Sequence, residues 1–212
     1  VAFDFRGHGD SKAPGSGAWG YDHLVRLDLP AVVECARARG EDKPVVVLGH
    51  ALGGHVALAS QGTARITADA IVAVGANVWL RELEPSRLRW AAKLAIARAA
   101  LAVATKVGGI PARRLGIGSD DAPEPCLREL LRGVMHGEWK SRDGRDDYLA
   151  ALSLVRVPVA AVLGELDLLT CHPSAGEAFA RRCGGSVAFF RAPAGHMDLV
   201  TSPRAHPAVL AA

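Results

Sequence analysis

The stretch that says most about chemistry is Val45-Val46-Val47-Leu48-Gly49-His50-Ala51-Leu52-Gly53-Gly54. A β-branched, apolar run enters glycines, and a small, Ala-rich helical pattern follows to about Ser60. Val-rich runs of this length favour a buried strand. Glycines at 49 and 53, on either side of residue 51, let strand, turn and helix pass very close together, which a Cβ at either position would obstruct. Such an elbow pushes the side chain of residue 51 into the open at the end of the strand, the place where a nucleophile belongs. Residue 51 is alanine. A methyl group neither attacks a carbonyl nor can be activated by a base, so the chain as written is expected to lack covalent catalysis.

Other polar residues follow later strand patterns. Asp167 ends Gly164-Glu165-Leu166-Asp167, after an apolar run from Val157 to Leu163. His196 stands in Gly195-His196-Met197, in the loop after a short run from Val187 to Arg191. Taken singly, an aspartate after a strand reads as a helix cap or turn former. At the C-terminal edge of a parallel sheet, however, loops vary above a rigid base, and ligands and catalytic residues collect there. Glu165 and Asp198 are the alternative carboxylates in these loops, and His50 reads as a support for the elbow. Cys171, just beyond Asp167, lies near the edge of the site and is not read as a substitute nucleophile.

The elements that must position these groups alternate. Val1 to Phe5 reads as a strand, Arg6-Gly7-His8-Gly9-Asp10-Ser11 as a Gly-rich turn, and Pro14 to Gly20 as its extension. Tyr21 to Ala38 has helical spacing, with Leu24, Leu27, Val32, Val33 and Cys35 on a broad apolar face. Asp28 is placed as a cap, with Pro30 tolerated in the first turn, and Arg39-Gly40 as the end. A strand–helix–strand unit of this kind requires a right-handed crossover in a parallel sheet. Asp69 to Val74 is the next strand, ending in Gly75-Ala76-Asn77.

Alternation then stops. Helical patterns cover Ser86 to Val107, closed by Gly108-Gly109-Ile110-Pro111, then Pro125 to Gly133, and Tyr148 to Leu154. Trp79, Trp90 and Trp139 read as packing residues, with a substrate cavity as the alternative. After the strand at Val157, Pro173 to Cys183 is helical, and Pro203 and Pro207 shorten any last helix before Ala212.

With 212 residues, half of them hydrophobic, the chain fits one domain carrying a modest insertion and a sizeable core. Lys and Arg number 25 against 22 Asp and Glu, a net +3 with interspersed signs. The positive residues gather only weakly, at Arg81 to Lys106 and at Arg113-Arg114, without the dense stripe of a nucleic-acid-binding face. Cys35, Cys126, Cys171 and Cys183 are scattered, with no zinc-site spacing, and are read as reduced thiols. No 18-residue apolar run predicts a membrane span, although Ser86 to Val107 has the apolar and basic character of a membrane-surface helix as its alternative reading.

Gly49-His50-Ala51-Leu52-Gly53-Gly54 resembles the nucleophile elbow of the α/β-hydrolase superfamily, with alanine in place of serine. Asp-x-Arg-Gly-His-Gly-x-Ser from Asp4 to Ser11 resembles the segment after the fourth strand of that superfamily, and the order of position 51, Asp167 and His196 matches its nucleophile, acid and histidine. The resemblance implies a doubly wound, mostly parallel α/β sheet: a core from residues 1–78 and 155–212 and a helical cap over 79–154. It implies that His196 moves the proton, that Asp167 fixes its tautomer, and that the Leu52 N–H is one arm of an oxyanion hole. Neither metal nor organic cofactor is implied.

The expected parent activity is a serine hydrolase cleaving a carboxylic ester, lactone or thioester of a hydrophobic substrate through an acyl-enzyme. Acyl transfer or cyclisation with the same triad, and non-catalytic ligand binding, are the alternatives. The superfamily places a further strand between those at Phe5 and Val45, and its following turn supplies the second oxyanion N–H. That portion is expected as a separate chain or as part of a longer one, since an empty lane would leave unpaired backbone on two edges. The retained Asp167 and His196 favour an engineered serine-to-alanine change, and the expected location is cytoplasmic.

Overall fold

The computed structural model describes residues 1–11, 19–110 and 121–212. Its centre is a parallel sheet of β1 (Val46–His50), β2 (Ala70–Val74), β5 (Val159–Gly164) and β6 (Val187–Ala192), hydrogen-bonded in that order. The short β3 (Gly109–Ile110) and β4 (Ala122–Pro123) form a separate antiparallel pair. Register aligns Leu48 with Val72, Val72 with Ala160 and Ala160 with Ala188, so the apolar runs stack into a continuous face. β5 is buried at every position, as its unbroken Val-Ala-Ala-Val-Leu-Gly sequence requires.

Helices cover both faces. On one, the Val56–Ala59 segment of the elbow helix and Phe179 pack with Ile71 and Val159. On the other, Leu199 and Ala205 pack with Val72, Val74, Ala160 and Val162. A third, smaller cluster joins Ala97, Ala104, Leu127, Leu131 and Val134 within the helical stretch between β2 and β5. Trp139, Tyr148 and Leu152, later in that stretch, belong instead to the main core.

Val1 to Phe5 is not a strand. β1 is the sheet's edge, and no described strand pairs with its outer side, so the backbone of residues 1–5 has no ladder to join. The expected crossover between that segment and β1 is absent with it. Val46 and Leu48, each 55% exposed, are the apolar consequence on the edge strand.

The helical segment begins at α1 (Tyr21–His23), passes through a π turn at Leu24–Asp28 and continues as α2 (Leu29–Gly40). Pro30 lacks the N–H that a regular helix would donate, and the π turn immediately before it absorbs the mismatch. Asp28 makes no side-chain cap bond. Its carboxylate instead accepts from the Arg6 backbone N–H at 3.1 Å and from Nε at 2.8 Å, because a guanidinium is a stronger partner than a helix N–H. The loop expected from Pro14 lies largely outside the described residues, as do Arg113 and Arg114.

After α3 (Leu52–Gly62), the longest helix is α4 (Arg87–Val107). Ser86 caps it, accepting from the Arg89 N–H, and Gly108 closes it at φ 82°. One basic residue of this helix lies inside: Lys93 is buried and donates to Glu84 at 2.8 Å. Helices at Glu124–Leu130, Arg132–His136, Tyr148–Ala151, Pro173–Ala180, Asp198–Thr201 and His206–Leu210 complete the described chain. Among the described residues, no helix is long and apolar enough to cross a membrane.

Candidate active site

The turn between β1 and α3 holds Ala51 at φ 47° and ψ −110°, a conformation in which an L-residue is strained. Its N–H is tied to the Val74 carbonyl at 2.8 Å, and its carbonyl accepts from Gly54 at 3.1 Å, so neighbouring strand and helix hold the strain in place. A Cβ on Gly49 would stand 2.5 Å from the Gly54 nitrogen, and one on Gly54 would stand 2.5 Å from the Ala76 Cβ. On Gly53 it would meet nothing within 4 Å, so the close approach depends on Gly49 and Gly54 rather than on Gly49 and Gly53. Gly49→Ala is therefore expected to destabilise the fold by about 2 kcal/mol or more through overpacking. Gly53→Ala is expected to be neutral or stabilising by up to about 1 kcal/mol, because it sits in a helix with room for a methyl. Urea unfolding of the two variants checks the contrast.

Asp167 and His196 come together across 29 residues of chain. His196 Nδ1 donates to Asp167 Oδ2 at 2.7 Å. Asp167 is buried, and its carboxylate also accepts from the N–H groups of Thr170 and Cys171, both at 2.9 Å. Glu165 and Asp198 are both exposed; among the described residues the Asp198 carboxylate accepts only from the Gly195 N–H, at 3.4 Å. His50 Nε2 donates to the His196 carbonyl at 3.0 Å, and the two rings lie 4.8 Å apart. His50 thus braces the histidine loop from β1. Burial chiefly lowers its pKa, which keeps the ring neutral and suited to that single donor role.

Burial pushes the Asp167 carboxyl up, but the hydrogen bond and charge of His196, with backbone donors, outweigh it and leave the group below its usual range. A carboxyl depressed by folding adds stability above its unfolded pKa and loses it as pH falls through the folded value. Asp167→Asn should therefore flatten the acid limb of a plot of Tm against pH, below about pH 4. Thermal scans from pH 2 to 7 measure the change in slope.

Ala51, Leu52, Gly75 and His196 line one cavity of about 260 Å³, whose walls include Val78, Trp79, Leu130, Leu131 and Thr170. Gly75 sits at φ 55°, a conformation that favours glycine, and a Cβ there would lie 3.0 Å from Leu199 Cδ1. Leu52 opens α3, so its N–H has no intrahelical acceptor and carries the positive end of the helix dipole. Cys171, in contrast, is fully buried, and burial pushes its thiol pKa up, the opposite of an activated nucleophile. All four cysteines are free.

Of the tryptophans, Trp79 lines the cavity and its indole N–H donates to the Thr170 carbonyl at 2.9 Å. Trp90 packs on the small helical cluster and Trp139 in the main core. Sequence reasoning did not single out His55 or Asn77, which also line the cavity. Asn77 carried a usable signal, since it follows the last residue of β2 by the same interval at which Asp167 follows β5.

A parallel sheet with helices on both faces, a strained elbow after β1 and an Asp–His pair at the same sheet edge define an α/β-hydrolase. The chain belongs to the serine aminopeptidase S33 family, whose model matches residues 1–122. No curated protein sequence matches it. Among solved structures, it is similar to the monoacylglycerol lipase of Paleococcus ferrophilus at 15% identity, covering 99% of this chain and 79% of that one, with a TM-score of 0.60. A thermophilic esterase from Thermogutta terrifontis is similar at 17% identity, 98% and 75% coverage and a TM-score of 0.56. A hydrolase from Pseudomonas aeruginosa is similar at 23% identity, 98% and 76% coverage and a TM-score of 0.53. At these identities the likeness is one of fold.

Proposed function

We propose that this site, with serine at residue 51, is that of an esterase-type serine hydrolase acting on a carboxylic ester, lactone or thioester. The observation that carries the reading is the Asp167–His196 hydrogen bond, which occupies Nδ1 and leaves Nε2 for proton transfer in a cavity shared with residue 51. The serine oxygen would attack the carbonyl carbon while His196 Nε2 takes its proton. The Leu52 N–H would hold the developing oxyanion. Collapse would expel the alkoxide or thiolate, which takes the proton from His196, and water would repeat the sequence on the acyl-enzyme. With Ala51 the first bond cannot form, and the chain is an inactive form that binds without turnover.

The apolar walls at Leu52, Val78, Trp79, Leu130 and Leu131 support a substrate with a substantial apolar portion. Residues 79–154 serve as the cap in this reading, which the contributions of Trp79, Leu130 and Leu131 to the cavity support. A further strand from the same protein, paired beside β1, would cover Val46 and Leu48. Four free thiols support a cytoplasmic location. Acyl transfer or cyclisation would use the same intermediate with a different acceptor. Ala51 itself favours one other reading, a ligand-binding protein with no chemistry. Product analysis of Ala51→Ser with p-nitrophenyl esters and competing alcohols tests all three: free acid marks hydrolysis, a new ester marks transfer, and saturable binding without product marks the third and overturns the hydrolase.

A further inference from the structure

The cavity wall is not wholly apolar. Asn77 lines it, is 8% exposed, and has a side-chain nitrogen that is shielded from water and lacks any hydrogen-bond partner among the described residues. An orphaned buried amide is uncommon and calls for an explanation, because a shielded donor without an acceptor forfeits its solvation. No described hydrogen bond holds the carbonyl end either, so a half-turn about χ2 exchanges nitrogen and oxygen in place.

His55, one turn into α3 from residue 51, lines the same cavity and is also buried. The Tyr21 hydroxyl lies 3.0 Å from His55 Nδ1, and the Trp139 indole N–H, the other polar group that approaches it, can only donate. Burial raises the Tyr21 pKa well above its usual value, so the phenol keeps its proton, and Nδ1 is the side-chain acceptor within its reach. Burial also lowers the His55 pKa to about 3, so the ring is neutral and carries its single proton on Nε2. Nε2 has no described partner. A fixed N–H donor and an unsatisfied amide therefore sit in one apolar cavity beside position 51.

We propose that His55 and Asn77 form a polar subsite selecting substrates whose apolar portion carries a hydrogen-bond acceptor, a ketone or comparable carbonyl oxygen, away from the reacting carbonyl. The subsite rests on the hydrolase reading for its place next to residue 51, but its binding chemistry does not require turnover. A cavity that is mostly hydrophobic takes its orientation and specificity from its few polar groups. A site built to donate hydrogen bonds discriminates against an analogue without the acceptor, since its own donors are then left unpaired.

The test uses the Ala51 protein as it stands, which has no side-chain nucleophile at residue 51 to consume an ester. Ethyl esters of 3-oxobutanoic, 4-oxopentanoic and 5-oxohexanoic acids are titrated against those of butanoic, pentanoic and hexanoic acids. Affinity is followed by the fluorescence of the tryptophans, and contact by the side-chain amide resonance of Asn77. At least one oxo ester is expected to bind about tenfold more tightly than its alkyl counterpart, about 1.4 kcal/mol, and to shift the Asn77 resonance. Asn77→Leu should reduce that preference to about threefold or less while leaving the alkyl ester bound at least as well. Tyr21→Phe, which frees the His55 tautomer, should reduce it partially. The proposal is overturned if every alkyl ester binds as tightly as its oxo partner, a comparison that needs no variant to fold. That result would leave the hydrolase reading standing; a preference for oxo esters with an unreactive Ala51→Ser would leave the subsite standing and remove the hydrolase.

Discussion

Replacing Ala51 with serine is expected to raise p-nitrophenyl ester turnover by roughly 10⁴-fold or more over the Ala51 protein, the scale on which removing a serine nucleophile disables a serine hydrolase. The elbow already holds residue 51 at φ 47°, so the hydroxyl would enter a backbone shaped for it and needs no rearrangement of strand or helix. Leu52 and His196 stand on the walls of the same cavity, and Asp167 already holds the imidazole at 2.7 Å. Adding His196→Ala to the serine-bearing protein should remove nearly all of the gain, because nucleophile and base act as a unit whose losses do not add. Stopped-flow or plate-based release of p-nitrophenolate measures both steps. A gain that survives His196→Ala would place the base elsewhere.

The largest stability effect should come from Lys93. Lys93 and Glu84 are each 1% exposed, and the Glu84 carboxylate gathers Lys93 Nζ at 2.8 Å, Arg89 Nε at 3.0 Å and the Ser86 N–H at 3.0 Å. The ammonium also lies 5.5 Å from the centre of the Trp79 ring on the cavity wall. Lys93→Met leaves the buried carboxylate short of its principal counter-charge and should cost about 3 kcal/mol or more. Replacing both residues with apolar ones should recover much of that loss, since the desolvation penalty of the pair disappears with its attraction. Burial pushes the Glu84 pKa up, but donors from Lys93, Ser86 and Arg89 more than offset it and bring it below the usual carboxylate range. Glu84 therefore adds stability above its unfolded pKa and gives it up as pH falls through the folded value. Urea unfolding of the single and double variants at pH 7 and pH 4 should show the Lys93→Met penalty shrinking in acid.

What could be read from sequence divides by the range of the interaction. The elbow was legible because its signal is local: a β-branched run, then glycines, then a helical pattern. Asp167 and His196 were legible because each stands just past a strand at the edge where loops converge. Which glycine permits the close approach was not, because that depends on Ala76 from the loop after β2, and Gly54 rather than Gly53 faces it. Val1 to Phe5 has strand-like residues, yet a strand exists only with a partner, and β1 offers no described one beside it.

Charge was misread for the same reason. Asp28 looked like a cap until Arg6 claimed its carboxylate, and nothing in the Ala-rich, basic pattern around Lys93 marks it for burial against Glu84. Asn77 was marked by its place after β2 but not by its chemistry, and His55 by neither, because nothing in their neighbours shows a donor without a partner. That property appears only once Tyr21 and the cavity walls are in place.

The most direct test of the central claim is the intact mass of the complete Ala51→Ser protein after incubation with a fluorophosphonate, with digestion to locate the label. The account predicts a single adduct on the peptide carrying residue 51, lost in the Ala51 protein and in the Ala51→Ser protein carrying His196→Ala. A folded Ala51→Ser protein that takes up no label, or takes it elsewhere, would contradict the claim that position 51, His196 and Asp167 form one nucleophilic site.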